Sequence, residues 1–218
     1  MADLEVELAM FPLEAALLPD QDLPLRIFEP RYSALVRHCV EHGDPFGVVL
    51  IARGREVGGG ESRYDVGMLS RIIECVDQGS GRYSLRCRTG ERIRVSEWLP
   101  DDPYPRARVR LWPDEPGDPV THAQLLDVED RVMDLFARIA EARDVVLPDR
   151  ALLLGPDGPD SPDIGDAGQR LYALASRLPI GTADRYSVLS APSAADRLTA
   201  LHEAVDAVAE MVEFELSE

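Results

Sequence analysis

Met10-Phe11-Pro12-Leu13, then Leu17-Leu18-Pro19, then Leu23-Pro24-Leu25-Arg26-Ile27-Phe28-Glu29-Pro30-Arg31-Tyr32 is the stretch on which the fold turns. Leu25 and Ile27 alternate with Arg26, giving the second segment one apolar face. The prolines at 12, 19 and 24 cannot donate ladder hydrogen bonds, so these segments belong at sheet edges or bends. Pro30 suits the first turn of a helix that Gly43 stops. Glu29 stands just ahead of that turn, where a carboxylate can meet unpaired backbone donors. Tyr32, Leu35, Val36, Cys39 and Val40 recur at the spacing of a helix face packed on a core.

Outward from this block, short apolar or alternating runs broken by Gly and Pro predict strands at 4–11, 15–18, 23–28, 46–52, 64–76, 82–88, 92–99 and 104–112. After the turn-rich residues 113–119 the apolar period changes from about two to about 3.6. Thr121 and Gln124 form a capping box for a helix carrying Leu125, Val128, Val132, Leu135, Phe136 and Ile139. Leu171, Leu174, Ala175 and Leu178 mark another helix, ended by Pro179, and Tyr186 and Leu189 a short one. Ser193 caps the last, whose seam is Leu198, Leu201, Val205, Val208 and Val212. The expected organisation is a β-rich lobe over 1–116 and a helical lobe over 117–218. The Pro-, Gly- and Asp-rich residues 155–166 read as a mobile acidic loop. Its aspartates recur every third residue rather than at the alternate positions of a calcium loop.

Composition narrows the chemistry. All 23 basic residues are arginine, which removes a lysine Schiff base, a Ser-Lys dyad and a Walker A lysine. The net charge of −17 is uneven, −3 over residues 1–112 and −14 over the rest, so the second lobe repels nucleic acid and anionic membrane. No run approaches the roughly 18 apolar residues of a membrane span, and Met1–Glu7 lacks a basic secretory start, which places the chain in the cytoplasm. Cys39, Cys75 and Cys87, odd in number and widely spaced, read as free thiols.

The opening block closely resembles the N-terminal domain of the Lon protease family, with its Phe-Pro-Leu, spacer, Leu-Pro-Leu and Ile-Phe-Glu-Pro-Arg-Tyr leading into a helix. Similar text continues at Phe46-Gly47-Val48-Val49-Leu50-Ile51, Glu56-Val57-Gly58-Gly59-Gly60, Val66-Gly67 and Ala173-Leu174-Ala175-Ser176-Arg177-Leu178-Pro179. Asp20 stands where the family has glycine. The resemblance implies an α+β fold, a PUA-like pseudo-barrel lobe with one helix followed by a helical bundle, in the part of Lon assigned to recognising substrate polypeptides. Phe11, Pro12, Leu13, Pro24, Phe28, Glu29, Pro30, Arg31 and Tyr32, which carry the match, read as structural.

The chain ends at Glu218, short of any Lon ATPase or peptidase domain, and is expected to be a non-catalytic recognition or adaptor module. It would hold unfolded or extended client polypeptides through a groove on the β lobe or between lobes, as a monomer or weak homodimer, in concert with an ATP-dependent protease. The competing readings are a nucleic-acid-binding PUA-like protein, opposed by the charge, and a hydrolase using Asp or Glu.

Three features invite a site. Arg86, Arg88, Arg92, Arg94, Arg106, Arg108 and Arg110 fall at even positions with apolar residues between, so in one sheet they would share an outer face able to dock an acidic partner. The alternative is solvation, or pairing with the acidic helical lobe. Gly58-Gly59-Gly60 lacks the helix that a phosphate cradle needs and reads as the rim of a binding surface. His38 and His42 lie one helical turn apart, but no third metal ligand is apparent in the sequence. No catalytic residue, cofactor or metal is therefore assigned.

Overall fold

The structure is a computed structural model that describes residues 5–53, 62–154 and 167–216. It divides into two compact units, Met1–Pro113 and Asp114–Glu218. The Gly58-Gly59-Gly60 run and the acidic segment 155–166 lie outside the described residues.

The first unit contains β1 (Val6–Leu13), β2 (Asp22–Ile27), α1 (Pro30–His42), β3 (Phe46–Arg53), β4 (Ser62–Gly79), β5 (Arg82–Leu99) and β6 (Arg106–Leu111). They form one mixed sheet in the order β2-β5-β4-β3-β1-β6, with β1 and β3 parallel, and β5 also pairs with β6. That last pairing closes a five-stranded ring, since the second half of β5 reaches β6 while its first half pairs with β2. The ring is an incomplete barrel with β2 as a flap on its rim.

Each face of the sheet has its own core. Phe11, Leu25, Ile27, Leu85 and Cys87 pack with Tyr32, Leu35, Val36 and Cys39 of α1, while Met10, Val49, Leu69, Ile93, Val95 and Val109 form a second cluster. Gly67 shows why the Val66-Gly67 pair is needed: a Cβ there would lie 2.2 Å from the Val48 carbonyl oxygen on the neighbouring strand.

Three strand and helix expectations are corrected. Residues 15–18 are bends and irregular chain, with no strand partner. The predicted strands 82–88 and 92–99 are one strand, because a β-bulge absorbs the glycine between them: Thr89 pairs with Ser70 and Arg92 with Met68, leaving Gly90 and Glu91 opposite Leu69. Val40, read as part of the buried face of α1, is 54% exposed.

The second unit contains α2 (His122–Ala142), α3 (Arg150–Leu154), α4 (Ala167–Arg177), α5 (Thr182–Ser190) and α6 (Ala194–Leu216). The Thr121–Gln124 capping box forms as expected. Ser193 makes a second one, its hydroxyl accepting from the Asp196 amide while the Asp196 carboxylate accepts from the Ser193 amide. The α6 seam is buried within this unit. Two charge networks are buried with it. Glu129 accepts from Arg170 Nε at 2.7 Å and from Arg150 at 3.2 Å. Arg197, fully buried, donates to both oxygens of Asp114 at 2.8 and 2.5 Å and lies 3.7 Å from the centre of the Tyr172 ring. Among the described residues no helix is long and apolar enough to cross a membrane.

Candidate functional site

Many of the residues that begin the sequence reading, from Phe11 and Leu13 through Leu23–Glu29 to Tyr32, line one cleft of about 330 Å³. Phe11 stacks on Tyr32, ring centroids 4.2 Å apart, and Leu13, Leu17, Leu23 and Leu25 continue the apolar lining. Phe28, 60% exposed, and Arg26 stand on its rim. An exposed phenylalanine beside a preformed apolar cleft is the informative exception to burial, since water disfavours both.

Hydrogen bonds to Thr89 hold the cleft wall. Its hydroxyl donates to the Leu18 carbonyl at 2.7 Å and accepts from the Gln21 amide at 2.8 Å, while the Gln21 side chain caps the Leu18 amide at 2.9 Å. Asp20 adopts φ 56°, the left-handed conformation in which glycine is commonest, and is a short polar residue that tolerates it. Glu29 does not play the role expected of it. Its carboxylate makes no capping hydrogen bond and instead accepts from Arg31 Nε at 3.2 Å, because the adjacent guanidinium is the stronger partner and Pro30 supplies no N–H.

Among the described residues, β2 also leaves an edge that no strand pairs with. Gln21 accepts from the Thr89 amide, which sets the parity of the ladder. The odd positions Leu23, Leu25 and Ile27 turn their backbone groups to β5, and Asp22, Pro24 and Arg26 turn theirs outward. Pro24 fits there because its missing N–H is not part of the ladder.

The arginine stripe is not a single face. Leu85 and Cys87 pack in the cluster with α1, whereas Ile93 and Val95 pack in the other, so the bulge at Gly90-Glu91 reverses the parity. Arg86 and Arg88 therefore lie on the opposite face from Arg92 and Arg94. Arg86 pairs with Glu74, Arg88 with Asp22, Arg94 with Asp65, Arg106 with Glu7 and Arg108 with Glu97, all carboxylates of the same unit. Arg92 is buried, donates to the Trp112 carbonyl at 2.9 Å and lies 4.1 Å from that ring's centre.

Burial pushes the thiols of Cys39 and Cys87 up to about 12, and Cys75, beside Asp77, is raised for the same first reason. None is a thiolate nucleophile at neutral pH. In the native chain a thiol reagent is expected to modify Cys75 alone, and slowly, with all three titrating in denaturant. Unfolding returns the two buried thiols to 9.0, so stability falls as pH rises from there toward 12, which a urea titration at two pH values would read.

His38 and His42 gain the partner that the sequence did not reveal. Asp44, just past the helix stop, brings a carboxylate to both, the three ligand atoms lying within 4.8 Å of one another.

Residues 7–207 match the family model of the ATP-dependent protease La (LON) substrate-binding domain. The chain belongs to that family. Within it, the chain is 29% identical over 109 residues to the Lon protease of Anaeromyxobacter dehalogenans (strain 2CP-C) and 31% identical over 109 residues to Lon protease 2 of Myxococcus xanthus. Each match takes in 49% of this chain and 13% of the relative, so this chain matches a small part of the length of those proteins. A Lon N-terminal domain protein from Xanthomonas campestris has the same fold at TM-score 0.62 and 26% identity, over 91% of this chain and 98% of that one. The N-terminal domain of the Mycobacterium avium complex Lon protease matches at TM-score 0.56 and 12% identity, over 92% and 98%, a likeness of fold.

Proposed function

We propose that this chain recognises polypeptides, holding an extended, apolar segment of an unfolded client in the cleft beside β2, and that it supplies recognition to an ATP-dependent protease without itself hydrolysing ATP or cutting the chain. The observation that carries this reading is the cleft, where the apolar lining, the exposed Phe28 and the strand-free edge of β2 coincide. A client strand laid along that edge meets the backbone groups of Asp22 and Arg26 and the Pro24 carbonyl, and its alternate side chains reach Leu17 and Phe28. Affinity then comes from main-chain hydrogen bonds and apolar contact, both indifferent to client sequence. The absence of lysine supports the non-catalytic part, since neither a Ser-Lys dyad nor a Walker A loop can be built without one.

The test is fluorescence anisotropy of labelled, unfolded casein with the full chain. Phe28→Ser and Leu17→Ser are expected to weaken binding about tenfold each, the scale of one good apolar anchor. Arg86→Ala with Arg88→Ala should leave affinity within about twofold, because exposed ion pairs contribute little. Wild-type affinity in both cleft variants, with circular dichroism unchanged, would remove the cleft from the mechanism.

A further inference from the structure

We propose that His38, His42 and Asp44 form a binding site for a divalent transition-metal ion of the zinc, cobalt and nickel class. The two histidines lie at i and i+4 on the last turn of α1, which puts both imidazoles on one side of the helix. Their rings are 4.6 Å apart at 31°, close enough for both to reach one ion.

The third ligand is placed by the backbone. Gly43 takes φ 72° at the helix end, its amide bonding the Cys39 carbonyl, and the Asp44 amide bonds the same carbonyl at 3.1 Å. The chain therefore doubles back over the turn it has just left, and an Asp44 oxygen comes to 3.5 Å from His38 Nε2. That separation is what two ligand atoms show when each sits about 2.0–2.2 Å from a tetrahedral ion.

An independent observation fixes how His42 would bind. Its Nδ1 lies 2.9 Å from the His38 carbonyl oxygen, which can only accept, so Nδ1 is the donor there and Nε2 is the nitrogen left for an ion. Backbone support of the non-ligating nitrogen is the common outer-shell arrangement of metal-bound histidine.

Two nitrogens and one carboxylate oxygen suit borderline cations rather than calcium or magnesium, which want oxygen alone. All three side chains are at least partly exposed, so further coordination positions remain for water or a ligand from a second molecule. The net charge of −17 raises the local concentration of cations around the chain.

Calorimetric titration of the full chain with zinc chloride, in excess magnesium, tests the assignment, with cobalt(II) absorption reporting geometry. One ion per chain is expected. His38→Ala, His42→Ala and Asp44→Asn should each weaken binding by at least the roughly ten- to hundredfold that outer-shell changes alone produce. His122→Ala, on α2, should leave it unchanged. Zinc should also raise the thermal midpoint of the wild-type chain and not that of His42→Ala. Failure of the wild type to bind zinc, equal binding by the three ligand variants, or loss of binding on His122→Ala would each overturn the proposal.

Discussion

Asp114→Ala is expected to destabilise the helical unit by about 3 kcal/mol, the low end of the range for stripping one partner from a buried ion pair. Arg197 has no solvent access, and both of its bonds to Asp114 are short, so its charge has no water to turn to when the carboxylate is removed. Asp114 is itself 32% exposed, which keeps the effect from the top of that range. For a unit of this size the thermal midpoint should fall by about 12 °C or more. Circular dichroism at a helix wavelength reads it directly. Adding Arg197→Met to Asp114→Ala should restore much of the loss, since an apolar side chain of similar volume needs no counter-charge and can still pack on Tyr172. A double variant no more stable than Asp114→Ala alone would show that packing, rather than the stranded charge, is responsible.

Gly67→Ala should have a comparable effect on the β unit, about 3 kcal/mol, the upper end of what overpacking commonly produces. The added methyl would sit 2.2 Å from the Val48 carbonyl oxygen and 2.7 Å from Val49 Cγ1. The nearer of these is backbone, fixed by the β3–β4 ladder, so relief requires the strands to part. Gly47 offers a contrast on the paired strand. There a Cβ meets the Sδ and Cε of Met10, the far end of a flexible side chain, and Gly47→Ala should destabilise less. Denaturant midpoints of the two variants, measured side by side, check the order. The reverse ranking would mean that the Met10 cluster is the stiffer of the two environments.

Much of this was legible in the text of the chain where local chemistry decides the outcome. Pro30 and Gly43 bound a helix by what their own backbones permit, and Thr121 with Gln124, like Ser193 with Asp196, satisfies orphan amides within four residues. The family resemblance supplied the kind of β lobe, a pseudo-barrel, while the order of its strands came only from the structure, since alternation alone does not specify it. What stayed hidden depended on partners distant in sequence. The arginines of 86–94 keep their even spacing straight through the bulge, so alternation in the text continues where the faces have exchanged. Residues 15–18 look like a strand by composition but form irregular chain, whose last residue, Leu18, is held by Thr89 some 70 positions away. Asp44 follows a helix stop and falls outside any helical period, so its return to His38 is visible only once the left-handed glycine is in place. The Glu29 carboxylate was drawn sideways by its neighbour Arg31, a competition that position relative to the helix does not reveal.

If the β2 edge takes a client strand as proposed, Pro24 has a consequence for how long that client stays. Along the outward edge of β2, Asp22 and Arg26 are the residues whose amides can donate, and the proline between them cannot. An incoming strand thus finds a ladder with a missing rung, too gapped to zip tightly and equally poor as a template for a second copy of β2. Grip is left to apolar contact at the rim, which forms and dissolves without regard to sequence. Such an edge favours brief sampling of many segments over long retention of one, the behaviour suited to a surface whose occupant must be handed on.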